Sequence, residues 1–182
     1  MVLVIAVVGS KDSGKTTTIE YLTRQLIKEG LKVGSIKHVH DPVFTIDTPK
    51  KDTFRFAQAG AKIIVSSAAG EIAILKKAND HSESFHLQEI FNLIEKEKLD
   101  VVFLEGFHST IAERNDIHKI VTAKSQEDLQ RTLRGTAPPI LAVTGLIANQ
   151  MSKSQDSDIQ VINVLSEGEA LLKQVKEILL SK

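Results

Sequence analysis

The chain of 182 residues contains no cysteine. This absence excludes a disulfide framework, a thiolate metal site and a cysteine nucleophile. An excess of charge of one sign is also missing, because 23 lysines and arginines balance 23 aspartates and glutamates. A net charge of zero gives no support to a general attraction for nucleic acid or for an anionic membrane, so any anion must be bound by a local arrangement of residues.

Long apolar segments are missing as well. The longest run, Val2–Val8, is too short to cross a bilayer. It also lacks the basic front and the small-residue cleavage site of a secretory signal. We therefore expect a soluble, cytoplasmic protein that binds neither nucleic acid nor membrane. The length is typical of one domain, which we expect to span residues 1–182.

Strand and helix patterns alternate along the chain. The β-branched run Val2–Val8 predicts a strand buried on both faces, as in a parallel sheet, and a helix with Ile19, Leu22 and Leu26 on one face follows it. Together the patterns predict a mostly parallel sheet flanked by helices in three layers, with an inserted strand-rich hairpin region. Further strands are predicted at Lys32–Lys37, Ile63–Ser66, Glu71–Leu75, Val101–Leu104, Lys119–Thr122, Ile140–Thr144 and near Val161–Val164, and further helices at Asp52–Ala59, around Leu87–Ile94, from Ser125 to Leu133 and around Leu171–Leu179.

The segment Gly9–Thr16 matches Gly-x-x-x-x-Gly-Lys-Thr between the first predicted strand and the first predicted helix, and we call it the phosphate loop. Its two glycines let the backbone wrap an anion so that amides point at phosphate oxygens. In this pattern Lys15 reaches the β- and γ-phosphates, and the Thr16 hydroxyl ligates Mg²⁺. The motif predicts a P-loop NTPase fold in which the nucleotide contacts are Gly9, Ser10, Lys11, Asp12, Ser13, Gly14, Lys15, Thr16 and Thr17.

Within that loop Lys11 and Asp12 are expected to be solvated residues rather than catalytic groups. A second acidic partner is supplied by Glu105, which ends the apolar run Val101–Leu104. Nucleoside triphosphate sites of this kind need a carboxylate at the tip of a neighbouring strand, to hold the metal or orient water. We interpret Lys15 and Glu105 as the candidate catalytic residues, the alternative for Glu105 being a solvated strand end.

The polar loop, His38–Lys51, and its flanking residues concentrate charge around two prolines. His38 and His40 followed by Asp41 suggest a metal site, but without cysteine or a third nearby histidine, anion recognition is favoured over zinc. Composition alone favours the alternative, a solvated flap. The charged residues are Lys37, His38, His40, Asp41, Asp47, Lys50, Lys51, Asp52 and Arg55.

The order of residues is more specific than their composition. The segments KHVH (37–40), DTPKKDT (47–53), AGA (59–61), LEGF (104–107) and KIV (119–121) closely resemble the MobB family, molybdopterin-guanine dinucleotide biosynthesis protein B. The resemblance covers most of Val2–Thr144. It implies a homodimer that binds GTP with Mg²⁺, hydrolyses it slowly, and assists a MobA-like guanylyltransferase in attaching GMP to molybdopterin to form the dinucleotide form of the molybdenum cofactor.

Within this resemblance, the candidate metal ligands are Thr16, Asp47 and Glu105, with Asp52 a further carboxylate on the same switch-like loop as Asp47. The basic residues Lys37, His38 and Lys51, with His40 and Arg55, would meet either the γ-phosphate or the anionic pterin. Two positions depart from the family pattern, which usually has glycine at Lys50 and a basic residue at His108.

Two questions stay open on the residues alone. The guanine-reading motif Asn-Lys-x-Asp is absent, so nothing distinguishes guanine from adenine, although base contacts are expected after the strand Ile140–Thr144. The reaction class is also open. One alternative is a small-molecule kinase, which would share the phosphate loop and use Asp47 as its base. The other is a nucleotide-gated delivery protein for another metallocofactor, in which hydrolysis of the nucleotide would be incidental.

Overall fold

The computed structural model of the chain describes residues 2–41, 43–78, 82–150 and 159–181. The chain separates into two compact units, a larger one of Met1–His38 with Phe91–Lys182 and a smaller one of Val39–Ile90. Pro42 of the polar loop lies outside the described residues. In chain order the elements are β1 (Leu3–Gly9), α1 (Lys15–Lys28), β2 (Val33–Lys37), α2 (Asp52–Gln58), β3 (Ile63–Ala68), β4 (Glu71–Lys76), α3 (Glu83–Ile94), β5 (Val101–Glu105), α4 (His108–Ile111), β6 (His118–Thr122), α5 (Gln126–Arg134), β7 (Ile140–Thr144), β8 (Gln160–Val161) and α6 (Val164–Leu180).

The larger unit is built on one sheet of six parallel strands in the order β2-β5-β1-β6-β7-β8. The predicted mostly parallel sheet is therefore confirmed. Alternate residues of a strand point to opposite faces, which is why an uninterrupted apolar run such as that of β1 suits a sheet covered on both sides. Within the described residues, no helix has the length and apolar character needed to cross a membrane.

The core lies mainly between the sheet and the helices α1 and α6. Leu3, Ile5 and Val7 of β1 share one face of the sheet, where they pack with Leu22 of α1 and Leu171 of α6, all of them almost fully buried. Burying each such side chain contributes about 1.5–3 kcal/mol to the free energy of unfolding. On the opposite face α5 contacts β1 and β6. Helices on both faces complete the predicted three layers.

One predicted element ends differently from the prediction. The strand near Val161–Val164 stops at Val161, and Val164 is the first residue of α6. The reason is the cap at Asn163, whose side-chain Oδ1 accepts a hydrogen bond from the Leu165 backbone N–H at 3.0 Å. An asparagine in this position satisfies one of the unpaired amides of a helix start, so the helix begins earlier than the apolar spacing indicates.

The smaller unit contains α2 and an antiparallel hairpin of β3 and β4, as the prediction of an inserted hairpin region requires. The polar loop leads into α2 through Asp47. Its Oδ1 accepts hydrogen bonds from the Thr48 backbone N–H at 2.9 Å and from Thr53 Oγ1 at 3.1 Å. This carboxylate therefore organises the start of α2 from five residues upstream.

Lys50 adopts a left-handed backbone conformation with φ of 81°. This is the position at which the resembled family usually carries glycine, the residue that reaches positive φ without a steric penalty. A side chain there crowds the following carbonyl oxygen, at a cost of roughly 1–2 kcal/mol. The departure from the family pattern therefore falls where the backbone retains the conformation that suits glycine.

Replacing Lys50 should consequently stabilise the protein. We expect Lys50→Gly to raise the free energy of unfolding by about 1 kcal/mol or less, because relief of the left-handed strain exceeds the added chain entropy of glycine. Lys51→Gly is the matched control. Lys51 has an extended backbone, φ −81° and ψ 151°, so its replacement relieves no left-handed strain and should not give the same stabilisation. Chemical denaturation measures both, and equal losses would contradict the strain argument.

Candidate nucleotide site

The phosphate loop is fastened to the ends of two neighbouring strands by buried hydroxyl groups. Ser13 Oγ lies 2.6 Å from Thr122 Oγ1 at the end of β6, and Thr18 Oγ1 lies 2.9 Å from Thr144 Oγ1 at the end of β7. All four residues are buried. A buried hydroxyl without a partner is costly, so these two pairs hold the loop and the first turn of α1 at this edge of the sheet.

Gly145, immediately after β7, lies against the other side of the loop. Its φ is 97°, and a Cβ atom at this position would lie 2.1 Å from the Ser13 carbonyl oxygen. Only glycine fits such an approach at positive φ. The connection that leaves β7 is thus packed directly on the phosphate loop.

The carbonyl oxygen of Ser10 is the centre of the loop's internal hydrogen bonds. It accepts from Lys15 Nζ at 2.6 Å and from Ser13 Oγ at 2.7 Å. Lys15 Nζ also donates to the Gly9 carbonyl oxygen at 3.1 Å. The ammonium group is therefore held over its own loop, in the position from which the motif expects it to reach phosphate oxygens.

Burial lowers the pKa of Lys15, and the nearby charge of Lys37 adds to that effect. The negative charges of Glu105, Asp12 and Asp128 oppose it without cancelling it. Desolvation disfavours the charged form of a lysine, and an anion placed beside it restores that form. The site therefore has a positive charge whose environment improves when a polyanion binds.

Asp128, the third residue of α5, reaches back to the phosphate loop. Its Oδ2 accepts from Ser10 Oγ at 2.7 Å and from the Lys124 backbone N–H at 3.0 Å, and its Oδ1 accepts from Arg131 at 2.6 Å. The side chain is only 5% exposed. Burial alone would raise the pKa of Asp128, but these hydrogen bonds outweigh it and leave the pKa below its usual value. A charged, fully bonded carboxylate thus positions Ser10.

Glu105 brings together the residues predicted to surround the metal. Its Oε2 accepts from Thr16 Oγ1 at 3.0 Å, and its Oε1 forms an ion pair with Lys37 Nζ at 3.0 Å. The Glu105 side chain is 14% exposed, whereas that of Lys37 is 60% exposed. The pairing of β2 with β5 places Lys37 directly opposite Glu105, so the ion pair follows from strand register.

The turn after Glu105 packs against the end of β2. The His38 N–H donates to the Glu105 carbonyl oxygen at 2.9 Å, and the rings of His38 and Phe107 lie 4.7 Å apart. Gly106 has a φ of 92°, and a Cβ atom there would lie 3.0 Å from the Cβ of His38. The absence of a side chain at Gly106 therefore permits the close backbone approach expected beside Glu105.

The structure unites part of the predicted site. Gly9, Ser10, Ser13, Gly14, Lys15, Thr16, Lys37, His38 and Glu105 all belong to the larger unit. Lys11, Asp12 and Thr17 also do, with exposed side chains. Asp47 and Lys51 belong to the smaller unit, where Lys51 precedes α2 as its exposed N-terminal cap residue. Their roles toward a nucleotide stay predictions.

Sequence reasoning missed the residues that hold the loop from behind, chiefly Asp128, Thr122 and Thr144. One signal was present in the sequence. The spacing Ser125-x-x-Asp128 is that of a capping box, and Asp128 N indeed donates to Ser125 Oγ at 3.3 Å. Nothing in that pattern indicates that the carboxylate also bonds Ser10, which lies 118 residues away in the chain.

Comparison with known protein families identifies the family to which the chain belongs. The family model described as Molybdopterin guanine dinucleotide synthesis protein B, MobB, matches residues 4–144. The chain belongs to the MobB family. The family resemblance drawn from the sequence is therefore confirmed, and the phosphate loop, the polar loop and Glu105 all lie inside the matched region.

Two curated relatives carry related descriptions. A putative molybdopterin-guanine dinucleotide biosynthesis adapter protein of Methanocaldococcus jannaschii is 36% identical over 124 residues, which cover 68% of this chain and 48% of the relative. The molybdopterin-guanine dinucleotide biosynthesis adapter protein of Escherichia coli K12 is 31% identical over 113 residues, covering 62% of this chain and 63% of the relative. The match thus spans about half the length of the first relative and just under two thirds of the second.

The fold is also that of a solved MobB structure. The crystal structure of Bacillus subtilis MobB superposes with a TM-score of 0.73 at 22% sequence identity, covering 96% of each chain. At this identity the likeness establishes the fold alone. It supports the predicted fold of this MobB-family chain, a mostly parallel sheet flanked by helices.

The bond from Ser10 to Asp128 can be tested as a positioning contact. We expect Asp128→Asn to weaken nucleoside triphosphate binding about tenfold, because the hydrogen bond to a charged group that orders the loop is lost. Ser10→Ala should have a similar effect, and the double variant should lose little more than either single one. Isothermal titration with GTP measures all three.

Glu127→Gln, which changes the neighbouring exposed acidic residue in the same helix turn, serves as the control and should bind like the wild type. If Asp128→Asn lowers the thermal stability yet binds the triphosphate normally, Asp128 is only a helix-capping residue. The double-variant comparison separates the two roles, because a helix cap alone would not couple to Ser10.

Proposed function

We propose that this MobB-family chain binds GTP with Mg²⁺ on the phosphate loop, hydrolyses it slowly, and acts as an adapter in molybdopterin-guanine dinucleotide synthesis. The proposal of nucleotide binding rests on one observation. Thr16 Oγ1 donates to Glu105 Oε2 at 3.0 Å, and Lys15 lies beside them, held over the loop. The adapter part is supported by family membership and by the descriptions of the curated relatives.

Binding of the phosphates would use groups that the loop already presents. The first-turn amides of α1 carry the partial positive charge of a helix N-terminus, which favours an anion. Lys15 adds a full charge at the same place. Its bonds to the Gly9 and Ser10 carbonyl oxygens would be exchanged for bonds to the β- and γ-phosphate oxygens, which relieve its desolvation.

The residues beside the loop fit Mg²⁺. A threonine hydroxyl and a carboxylate are the hard oxygen ligands that this ion prefers, and here they lie within hydrogen-bonding distance of each other. The Lys37 ammonium forms an ion pair with the other carboxylate oxygen of Glu105, Oε1, and balances the charge of that carboxylate. When bound, the ion would neutralise charge on the phosphates. Thr16 and Glu105 would hold it, directly or through water, and Asp47 stays the third candidate ligand.

Glu105 would also orient the attacking water. It is a mostly buried carboxylate at the tip of a strand next to the loop, and its hydrogen bonds to Thr16 and Lys37 fix its direction. Because both carboxylate oxygens already contact Thr16 and Lys37, the side chain would orient the water rather than take its proton, and slow hydrolysis is expected. Lys15 and Glu105 accordingly carry the proposed catalysis.

The adapter role would require anion-binding residues besides the loop. Lys37 and His38 stand at the end of β2, next to Glu105, and Lys51 caps α2 in the smaller unit. We assign these residues to the γ-phosphate or to the anionic pterin. The partner would be the MobA-like guanylyltransferase that attaches GMP to molybdopterin.

Titration with GTP and ATP, with and without Mg²⁺, tests the nucleotide proposal. We expect GTP binding that Mg²⁺ strengthens and at least a tenfold loss of affinity in Lys15→Ala, because a charge-assisted hydrogen bond of about 1.5–3 kcal/mol disappears. The variant should melt like the wild type. Normal GTP binding by folded Lys15→Ala would contradict the assignment of the phosphate loop.

Glu105→Gln separates the metal role from phosphate binding. It keeps the shape of the side chain but removes the negative charge, so binding without Mg²⁺ should be retained while the Mg²⁺ enhancement and hydrolysis decrease about a hundredfold. Asp47→Asn is the matched comparison. Phosphate release in single turnover measures both, and a loss confined to Asp47→Asn would transfer the metal role to Asp47.

We also infer that the chain forms a homodimer, as the family resemblance implies, through one face of the β3–β4 hairpin. Val65 lies opposite Ile74, and Ile63 and Ile72 fall on the same face by strand alternation. These four side chains are 48–69% exposed, whereas Ile64 on the other face is buried. Four β-branched residues on one exposed face support a protein interface.

Light scattering tests this interface. We expect the wild type to be a dimer and Ile72→Glu to be a monomer, because a carboxylate buried in an apolar interface loses its hydration. Ile27→Glu, at an isoleucine with 55% exposure on α1, is the matched control and should remain a dimer. A dimeric Ile72→Glu variant would exclude this face from the interface.

A further inference from the structure

Two asparagines at the carboxyl ends of β7 and β8 have side-chain amides that bond to each other. Asn163 Nδ2 donates to Asn149 Oδ1 at 2.7 Å. Asn149 ends the short 3-10 helix Leu146–Asn149 that follows β7, and Asn163 precedes α6. We call Asn149 and Asn163 the amide pair.

The backbone determines which way the amide pair points. The Leu165 N–H donates to the Asn163 side chain, and since a backbone N–H can only donate, the atom it meets must be the amide oxygen. The NH₂ group of Asn163 therefore faces Asn149 and must meet its oxygen. The Oδ1 of Asn149 is thus engaged by Asn163, and the group that this exposed side chain presents to a ligand is its NH₂ group, which donates hydrogen bonds and accepts none.

The amide pair stands at the edge of the sheet that carries the phosphate loop. The connection from β7 to Asn149 begins at Gly145, which touches Ser13 of the loop. It is fixed further along by the Ile147 N–H, which donates to the Ala123 carbonyl oxygen at 3.0 Å. In open parallel sheets the ligand lies outside the carboxyl ends of the strands. When the phosphates of a nucleotide bind the loop, its purine base would therefore lie along this same edge.

Apolar side chains on the same two elements suit a flat ring. Leu146 begins the 3-10 helix and is 49% exposed, and Leu165 lies in the first turn of α6 and is 79% exposed. Nucleotide sites commonly combine apolar contact with a few polar groups that read the ligand. Both kinds of group are present here, since Leu146 lies close in sequence to Asn149 and Leu165 to Asn163.

We propose that the amide pair reads the purine base, with the Asn149 NH₂ group donating to O6 and N7 of guanine. Guanine presents acceptors at both positions, whereas adenine presents an acceptor at N7 and an amino donor at N6. A group that only donates matches guanine and leaves the adenine amino group facing another donor. The inference rests on the proposed nucleotide function, and it supplies the guanine preference that the missing Asn-Lys-x-Asp motif would otherwise provide.

The test measures dissociation constants for GTP, inosine triphosphate, 7-deaza-GTP and ATP. Inosine triphosphate keeps O6 and N7 and should bind the wild type about as well as GTP, while 7-deaza-GTP and ATP should bind more weakly. Asn149→Asp is nearly isosteric and still accepts from Asn163, but it replaces the outward donor by an acceptor. We expect it to lower the ratio of GTP to ATP affinity about tenfold or more.

Gln150→Glu introduces the same charge at the next exposed residue and should leave that ratio unchanged. Asn149→Ala removes the donors without adding charge and should also lower the ratio. A wild type that binds GTP and ATP equally, or a ratio unchanged in Asn149→Asp and Asn149→Ala, would overturn the base-reading inference while the proposed nucleotide binding stands. A wild type that binds no triphosphate would overturn both.

Discussion

The site depends on the register of the parallel strands. Glu105 of β5 pairs with Lys37 of β2 and with Val7 of β1, and Thr122 of β6 pairs with Gly9 and with Thr144 of β7. These pairings end five strands at one edge, so that the phosphate loop, the carboxylate and the supporting hydroxyl groups meet. A slip of one residue in any pair would turn the side chain to the opposite face of the sheet, and the apolar core prevents such a slip.

Electrostatic balance within the larger unit is local rather than global. The chain has no net charge, yet Lys15, Lys37 and Glu105 lie beside one another at the loop. Each charge has a partner in the described structure, either an opposite charge or a carbonyl oxygen. Because Lys15 is partly desolvated, an arriving polyanion would meet a group that gains from its presence. A neutral protein can therefore bind a strongly charged ligand at one place without attracting anions elsewhere.

Residues outside the Gly9–Thr16 motif hold the phosphate loop in place. Asp128 holds the hydroxyl of Ser10, and the carbonyl oxygen of Ser10 in turn receives Lys15 and Ser13. The residues that touch a nucleotide in the proposed function are thus positioned by residues that do not. The same division holds at the other end of the edge, where the Leu165 backbone N–H sets the direction of the Asn163 amide and, through it, that of Asn149.

The sequence by itself determined the elements, the fold class and the family, because these follow from local patterns: the apolar run of β1, the spacing in Gly9–Thr16, and the ordered segments around His38 and Glu105. The helix predictions were less complete: α6 starts earlier than expected because of the cap at Asn163, α3 starts before Leu87, and the short helix α4 was not predicted. Contacts such as Ser10 with Asp128, or Lys37 with Glu105, were decided by the tertiary structure alone. They join residues far apart in the chain, and no local pattern records which strands become neighbours or which register their core imposes.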